Sequence, residues 1–316
     1  MPTLGSDNGL TLADLTGKAY DDPMWDQLLD QMSFEDMSLL VNLGGWQTAQ
    51  IDSVGKVATS DCDGPAGVNN FITGTYGTPY PTEVLMAQTW NTDLLYDLGL
   101  AMGQEYADVN NYGVYGPAMN THRSAFAGRN FEYYSEDGVL AGKLAAAQVN
   151  AMATKGTYNY IKHFALNDQE TNRCAFLLTY SNEQAIREIY LKPFELCIKN
   201  FDGTQIAVMS SFNWIGTVPA CANEDTLTTI LRNEWGFQGM VITDYDGSYG
   251  YMITDHCVRT GNDLMLGFSS QASNQLTNTE SATLNNALRT SCKNIMYTIA
   301  NSVIIQILLM IAECQI

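Results

Sequence analysis

One repeated unit constrains this chain more than any other feature. A short apolar run rich in β-branched residues ends in a polar or titratable group, and a longer stretch of helical period follows. Gly239–Asp244 is the clearest case, with Met240-Val241-Ile242-Thr243 running into a carboxylate. Lys56–Ser60 leads likewise into the turn sequence Asp61-Cys62-Asp63-Gly64-Pro65, and Gly113–Pro117, Tyr158–His163, Gln205–Ser211 and Asn262–Leu266 continue the series. Helical spacing predicts helices over Asp93–Val109, capped by Asn91 or Thr92, and over Asp137–Thr154. It also predicts Asn182–Asn200, where Ser181 and Gln184 form a capping-box pattern, then Asp225–Glu234 and Ser281–Ser302. Strands alternating with helices pair in parallel through helical crossovers, so the fold class is α/β.

Asp63, Lys162-His163 and Asp244 recur at strand ends, which in a (β/α)8 TIM-like barrel form one face and carry the active site. A doubly wound sheet competes, but no G-x-G-x-x-G follows the first strand. The expected layout is an N-terminal segment (1–40) laid against the barrel, a barrel domain (41–301) and an atypical apolar tail (302–316). At 316 residues the chain is long enough for this.

A formal net charge of -19 leaves no basic stripe for nucleic acid. The seven scattered cysteines contain no C-x-x-C pair, which favours buried free thiols in a reducing compartment. The first fifteen residues lack a basic region followed by an apolar one, so no signal peptide is read and a cytoplasmic location is expected. The apolar run Val303–Ala312 is about half the length that spans a bilayer, so no membrane partner is expected. His122 and His256 have no metal-ligand spacing; neither metal nor cofactor is implied.

Five motifs occur in order: Asp63-Gly64-Pro65-Ala66-Gly67-Val68, Gly128–Asp137 (GRNFEYYSED), Lys162–Arg173 (KHFALNDQETNR), Met209-Ser210-Ser211-Phe212-Asn213 and Gly236–Tyr245 (GFQGMVITDY). Together they resemble glycoside hydrolase family 3, specifically its β-glucosidase branch, over roughly Trp25 to Asn301. The resemblance implies a retaining exo-β-glycosidase that acts on terminal β-D-glucosyl residues. Such an enzyme needs a carboxylate below the anomeric carbon and a carboxylic acid above the leaving oxygen, about 5–5.5 Å apart. By this resemblance Asp244 is the nucleophile, and Asp63, Arg129, Lys162, His163, Arg173, Met209 and Tyr245 line the substrate. Arg129, Lys162 and Arg173 would favour the ionised nucleophile. Read without the other motifs, Asp244 is better taken as a helix N-cap after a strand, and Asp63 as a turn former. Glu132 and Glu136 read as structural, pairing with Arg129 or capping the next helix.

Three features depart from the family pattern. Phe212 stands where tyrosine is common, which removes a hydroxyl that can contact the nucleophile and would raise its pKa or loosen it. Tyr245 replaces a frequent tryptophan but keeps an aromatic wall. The acid/base glutamate of the branch is carried by a separate α/β sandwich domain that the sequence does not contain. The aminosugar branch uses a histidine after the lysine-histidine motif, and Phe164–Arg173 has none, although Asp168 and Glu170 are present. An inactive sugar-binding barrel, a stranded domain needing a sandwich partner or self-association, a β-xylosidase and a β-N-acetylglucosaminidase remain the alternatives.

Overall fold

The structure, a computed structural model, describes residues 1–247, 249–268 and 274–303. Its centre is a ring of strands: β1 (Gln47–Thr48), β2 (Thr59–Asp63), β3 (Gly113–Tyr115), β4 (Tyr158–Phe164), β5 (Ile206–Ser210) and β6 (Val241–Ile242). From β2 to β6 each strand pairs in parallel with the next in chain order. Ile242 then bridges Leu264 in parallel. The ring closes where Gly44 N and Gly45 N donate to Met265 O and Gly267 O, each at 3.0 Å. β1 follows at once and pairs antiparallel with β2. The fold is a TIM-like barrel, and its irregularity sits at this closure.

Strand alternation sorts the core. Tyr158, Tyr160, Ala207, Met209 and Ile242 point into the barrel and share a cluster with Tyr115 and Leu264. Their neighbours Ile161, Val208 and Val241 face outward, beneath the surrounding helices. The first expected strand is shifted: Lys56 O accepts from Ile51 N, which holds 51–56 as a turn and moves the strand on to Thr59–Asp63. The run Asn262–Leu266 contributes a bridge at Leu264 and no named strand.

The helices are α1 (Met24–Asp30), α2 (Phe34–Asn42), α3 (Thr92–Asp108), α4 (Gly138–Ala153), α5 (Lys192–Lys199), α6 (Thr254–Thr260) and α7 (Ala282–Ala300). Asn91 caps α3, Asp137 caps α4 and Ser281 caps α7, each side chain accepting from backbone N–H groups of the first turn. Asp137, not Glu136, therefore caps the helix after the GRNFEYYSED motif. The expected Ser181 capping box is not formed, because Asn182 accepts from Ala185 N instead. That helix widens to a π-turn at Ile186–Tyr190 before Pro193, which has no N–H to offer, starts α5. Asp225–Glu234 is also a π-helix.

Residues 1–40 pack on α7, where Tyr20 and Trp25 meet Tyr297 with ring centroids 5.1 and 5.8 Å apart. Beyond Val303 the apolar tail, including Cys314, lies outside the described residues. The other six cysteines are free. Among the described residues no helix is long and apolar enough to cross a membrane.

Candidate active site

The C-terminal ends of β2, β4 and β6 bring the strand-end residues together. Gly64 follows Asp63 at φ +138°, and a Cβ there would collide with Gly67 O and the Tyr106 hydroxyl, so only glycine permits this turn. Asp63 Oδ2 accepts from Trp46 Nε1 at 2.9 Å, which fixes its rotamer. Lys162 and His163 lie inside β4, and both are buried.

Buried cations need partners, and Glu132 supplies one. Its Oε1 lies 2.9 Å from Lys162 Nζ, and its Oε2 accepts from Arg129 Nε at 2.7 Å. Burial alone would raise the Glu132 pKa, but Lys162 and Arg129 overcome it and bring it down to about 2. The structural reading of Glu132 is thus sharpened: it anchors two of the expected hydroxyl-binding residues at once.

His163 is held by three groups. Asn120 bonds its backbone at both N and O (2.7 and 2.8 Å), and the Tyr133 hydroxyl lies 3.1 Å from Nδ1. Arg129 Nη2 stands 3.1 Å from Nε2, so Nε2 is the acceptor and the ring proton sits on Nδ1. Burial and then the charges of Arg129, Lys162 and Arg173 push its pKa well below 6.5, and the ring is neutral.

Asp244 is buried just beyond β6. Its Oδ1 accepts from Tyr245 N at 2.7 Å, whereas Oδ2 has no hydrogen-bond partner. Around that oxygen stand His163 Nε2 at 3.7 Å and Arg173 Nη1 at 3.9 Å, both too long for hydrogen bonds. Arg173 Nη1 is itself buried and unpaired. Its Nε bonds Glu170 at 3.0 Å, and its guanidinium lies 4.3 Å from the Phe212 ring centroid, a cation–π contact. Burial raises the Asp244 pKa; Arg173 and Arg129 oppose this without cancelling it.

Tyr245 is half-buried against Trp46, with centroids 5.8 Å apart. Met209 is buried among the barrel's interior side chains. A cavity of about 540 Å³ is walled by Asp63, Arg129, Glu132 and Lys162; Asp244, His163, Arg173, Met209 and Tyr245 do not line it. Trp46, Asn120 and Tyr133 act on the site residues through distant contacts, which no local sequence pattern announces.

This arrangement has known counterparts. Residues 48–277 match the family described as "Glycosyl hydrolase family 3 N terminal domain". The chain belongs to glycoside hydrolase family 3. Its relatives in the family include beta-glucosidase A of Butyrivibrio fibrisolvens, 39% identical over 250 residues, covering 77% of this chain and 29% of that one. Probable beta-glucosidase I of Aspergillus flavus is 34% identical over 242 residues, covering 76% and 28%. Among solved family 3 structures, beta-glucosidase 3B from Thermotoga neapolitana in complex with glucose superposes with a TM-score of 0.77 at 32% identity, covering 89% of this chain and 43% of that one. A beta-glucosidase from Paenibacillus barengoltzii reaches 0.81 at 31% identity, covering 96% and 35%. The chain spans under a third of the length of these curated relatives.

Proposed function

We propose that this chain supplies the sugar-binding and nucleophilic half of a retaining β-glucosidase. The observation that carries this reading is Asp244 Oδ2: a buried carboxylate oxygen with no hydrogen-bond partner, beside Arg173 and neutral His163. Buried polar atoms are normally paired, and an orphan at a strand end in a charged site is free for a reacting atom. In this reading Asp63, Arg129 and Lys162 hold the hydroxyls of a terminal β-glucosyl ring, His163 and Arg173 flank its anomeric side, Tyr245 forms an aromatic wall, and Met209 supports it from below. Asp244 Oδ2 bonds to C1 as the C1–oxygen bond to the leaving group breaks, and water later releases the sugar. Glu170 already accepts from Arg173 and Asn167, which supports seeking the proton donor elsewhere. The donor is proposed to be a glutamate of an α/β sandwich domain outside these residues, continuous with them or on another chain.

Residues 41–301 are proposed as the catalytic unit and 1–40 as a segment closing its base. A reducing, cytoplasmic setting is proposed on the strength of the six free cysteines. The test is a 2,4-dinitrophenyl β-glucoside, whose leaving group needs no proton. Burst release by the wild-type chain is expected, and the 2-deoxy-2-fluoro analogue of the same glucoside should leave a 2-fluoro-glucosyl adduct on Asp244, found by mass spectrometry. Turnover equal to that of Asp244→Ala, with no adduct, would overturn the reading.

A further inference from the structure

Trp46 holds a backbone conformation that a bulky side chain rarely adopts. Its φ is +55°, in the left-handed region. Such a conformation persists only where the surroundings impose it, and it gathers at functional sites. Here the closure of the barrel imposes it. Gly44 N and Gly45 N are tied to Met265 O and Gly267 O, and a Cβ on Gly44 would collide with Met265 O. On its other side Trp46 O accepts from Asp61 N of β2 at 3.0 Å.

The strained backbone sets the indole between two parts of the site. Nε1 donates to Asp63 Oδ2 at 2.9 Å, and the ring centroid lies 5.8 Å from that of Tyr245, the residue next to Asp244. Phe71 meets the indole edge-on at 4.8 Å, and Phe268 lies nearly parallel to it at 6.4 Å. Rings from three other segments thus fix the direction of one N–H. Asp63 depends on that N–H more than its neighbours depend on any one contact. Arg129 and Lys162 are both anchored by ion pairs to Glu132. Among the described residues, no side chain but Trp46 bonds the Asp63 carboxylate.

We infer that Trp46 is a positioning residue for sugar binding: its indole N–H aims the Asp63 carboxylate at the hydroxyls of the bound ring, and its packing on Tyr245 keeps that aim in register with the segment that carries Asp244. The inference rests on the proposed role of Asp63 in holding the glucosyl ring. It gives the strain at Trp46 a use, because the conformation that costs stability is the one that directs the donor.

A double-mutant cycle on the full chain tests it, read as kcat/KM on the 2,4-dinitrophenyl glucoside. Trp46→Phe keeps an aromatic ring and removes the donor. In the wild-type background it should cost about tenfold, the worth of a hydrogen bond to a charged group. In an Asp63→Ala background the same substitution should change kcat/KM by less than about twofold, because the group it acts through is gone. Benzothienylalanine at position 46 keeps the shape of the indole and puts sulfur in place of N–H, so it gives the same cycle with the packing held constant should the phenylalanine variant not fold. A loss of equal size in both backgrounds would make Trp46 a packing residue only and overturn the inference. Full activity without the N–H would overturn it too, and either result would leave the proposed function standing. An Asp63→Ala chain with undiminished kcat/KM would take down the proposed placement of the sugar along with the inference.

Discussion

Two clusters of buried charge lie in this barrel, one inside it and one at its mouth, and they are wired differently. Inside, Lys56 Nζ donates to Thr48 Oγ1, Ala49 O and Val57 O at 2.8, 2.6 and 2.8 Å, using every proton it has. Asp61 Oδ1 accepts from Tyr158 and Oδ2 from Tyr160, so both its oxygens are paired. At the mouth, Lys162, Arg129 and Glu132 satisfy one another, but Asp244 Oδ2 and Arg173 Nη1 are left unpaired. The fully paired cluster has nothing to offer a ligand; the incomplete one does. A buried network that is satisfied specifies structure, and one with open valences marks chemistry.

The largest expected effect separates the two at once. Asp244→Ala should lower kcat/KM on the 2,4-dinitrophenyl glucoside by at least about 10³-fold, since it removes the proposed nucleophile. It should leave the melting temperature unchanged or raised, because it deletes a buried charge that has no hydrogen bond at Oδ2. Lys56→Met should do the reverse. It strands three acceptors and leaves Asp61 buried without its counter-charge, which costs about 3 kcal/mol or more in a denaturant melt. The residual folded protein should keep its KM for the glucoside. A Lys56 variant that lost activity without losing stability would break the division between the clusters.

Lys162→Met probes the boundary, since Lys162 is paired like the interior group yet lines the cavity. Glucose binding should weaken roughly 10- to 100-fold, the worth of a charge-assisted hydrogen bond or two. Glu132 should also lose part of what holds its pKa near 2, because burial then acts against one fewer cation. Calorimetry checks the first outcome. Unchanged glucose affinity would return Lys162 to a purely structural part.

How much of this could be read in advance follows the range of the interactions. The short apolar runs rich in β-branched residues and the titratable groups at their ends are local, and they place Asp63, Lys162, His163 and Asp244 at one end of a barrel. What stayed hidden was long-range. Trp46 reaches Asp63 across 17 positions, Asn120 holds His163 across 43, and the ring closes between Gly44 and Met265. The first strand was shifted because Lys56 reads as a strand start but its carbonyl is taken by Ile51. The π-turn before Pro193 shifts the helical phase over only the five residues Ile186–Tyr190, too short a stretch for periodicity to reveal it.

The smallest expected effect bears on the open valence itself. In the proposed reaction Asp244 acts as a carboxylate, and burial holds its pKa above the usual 3.8. Activity is therefore present above that raised value and is lost as the pH falls through it, earlier than for an ordinary aspartate. Phe212, buried at the mouth under the Arg173 guanidinium, is the natural place to alter this. A hydroxyl introduced by Phe212→Tyr and directed at Oδ2 would hydrogen-bond the charged form and favour it. The acid limb of the pH–rate profile should then move down by about one unit, the scale of a ~1.4 kcal/mol differential interaction. The cation–π contact with Arg173 survives the change, since tyrosine keeps the ring. An acid limb that does not move would mean the hydroxyl does not reach Oδ2, and that the raised pKa is set by burial and Arg173 alone.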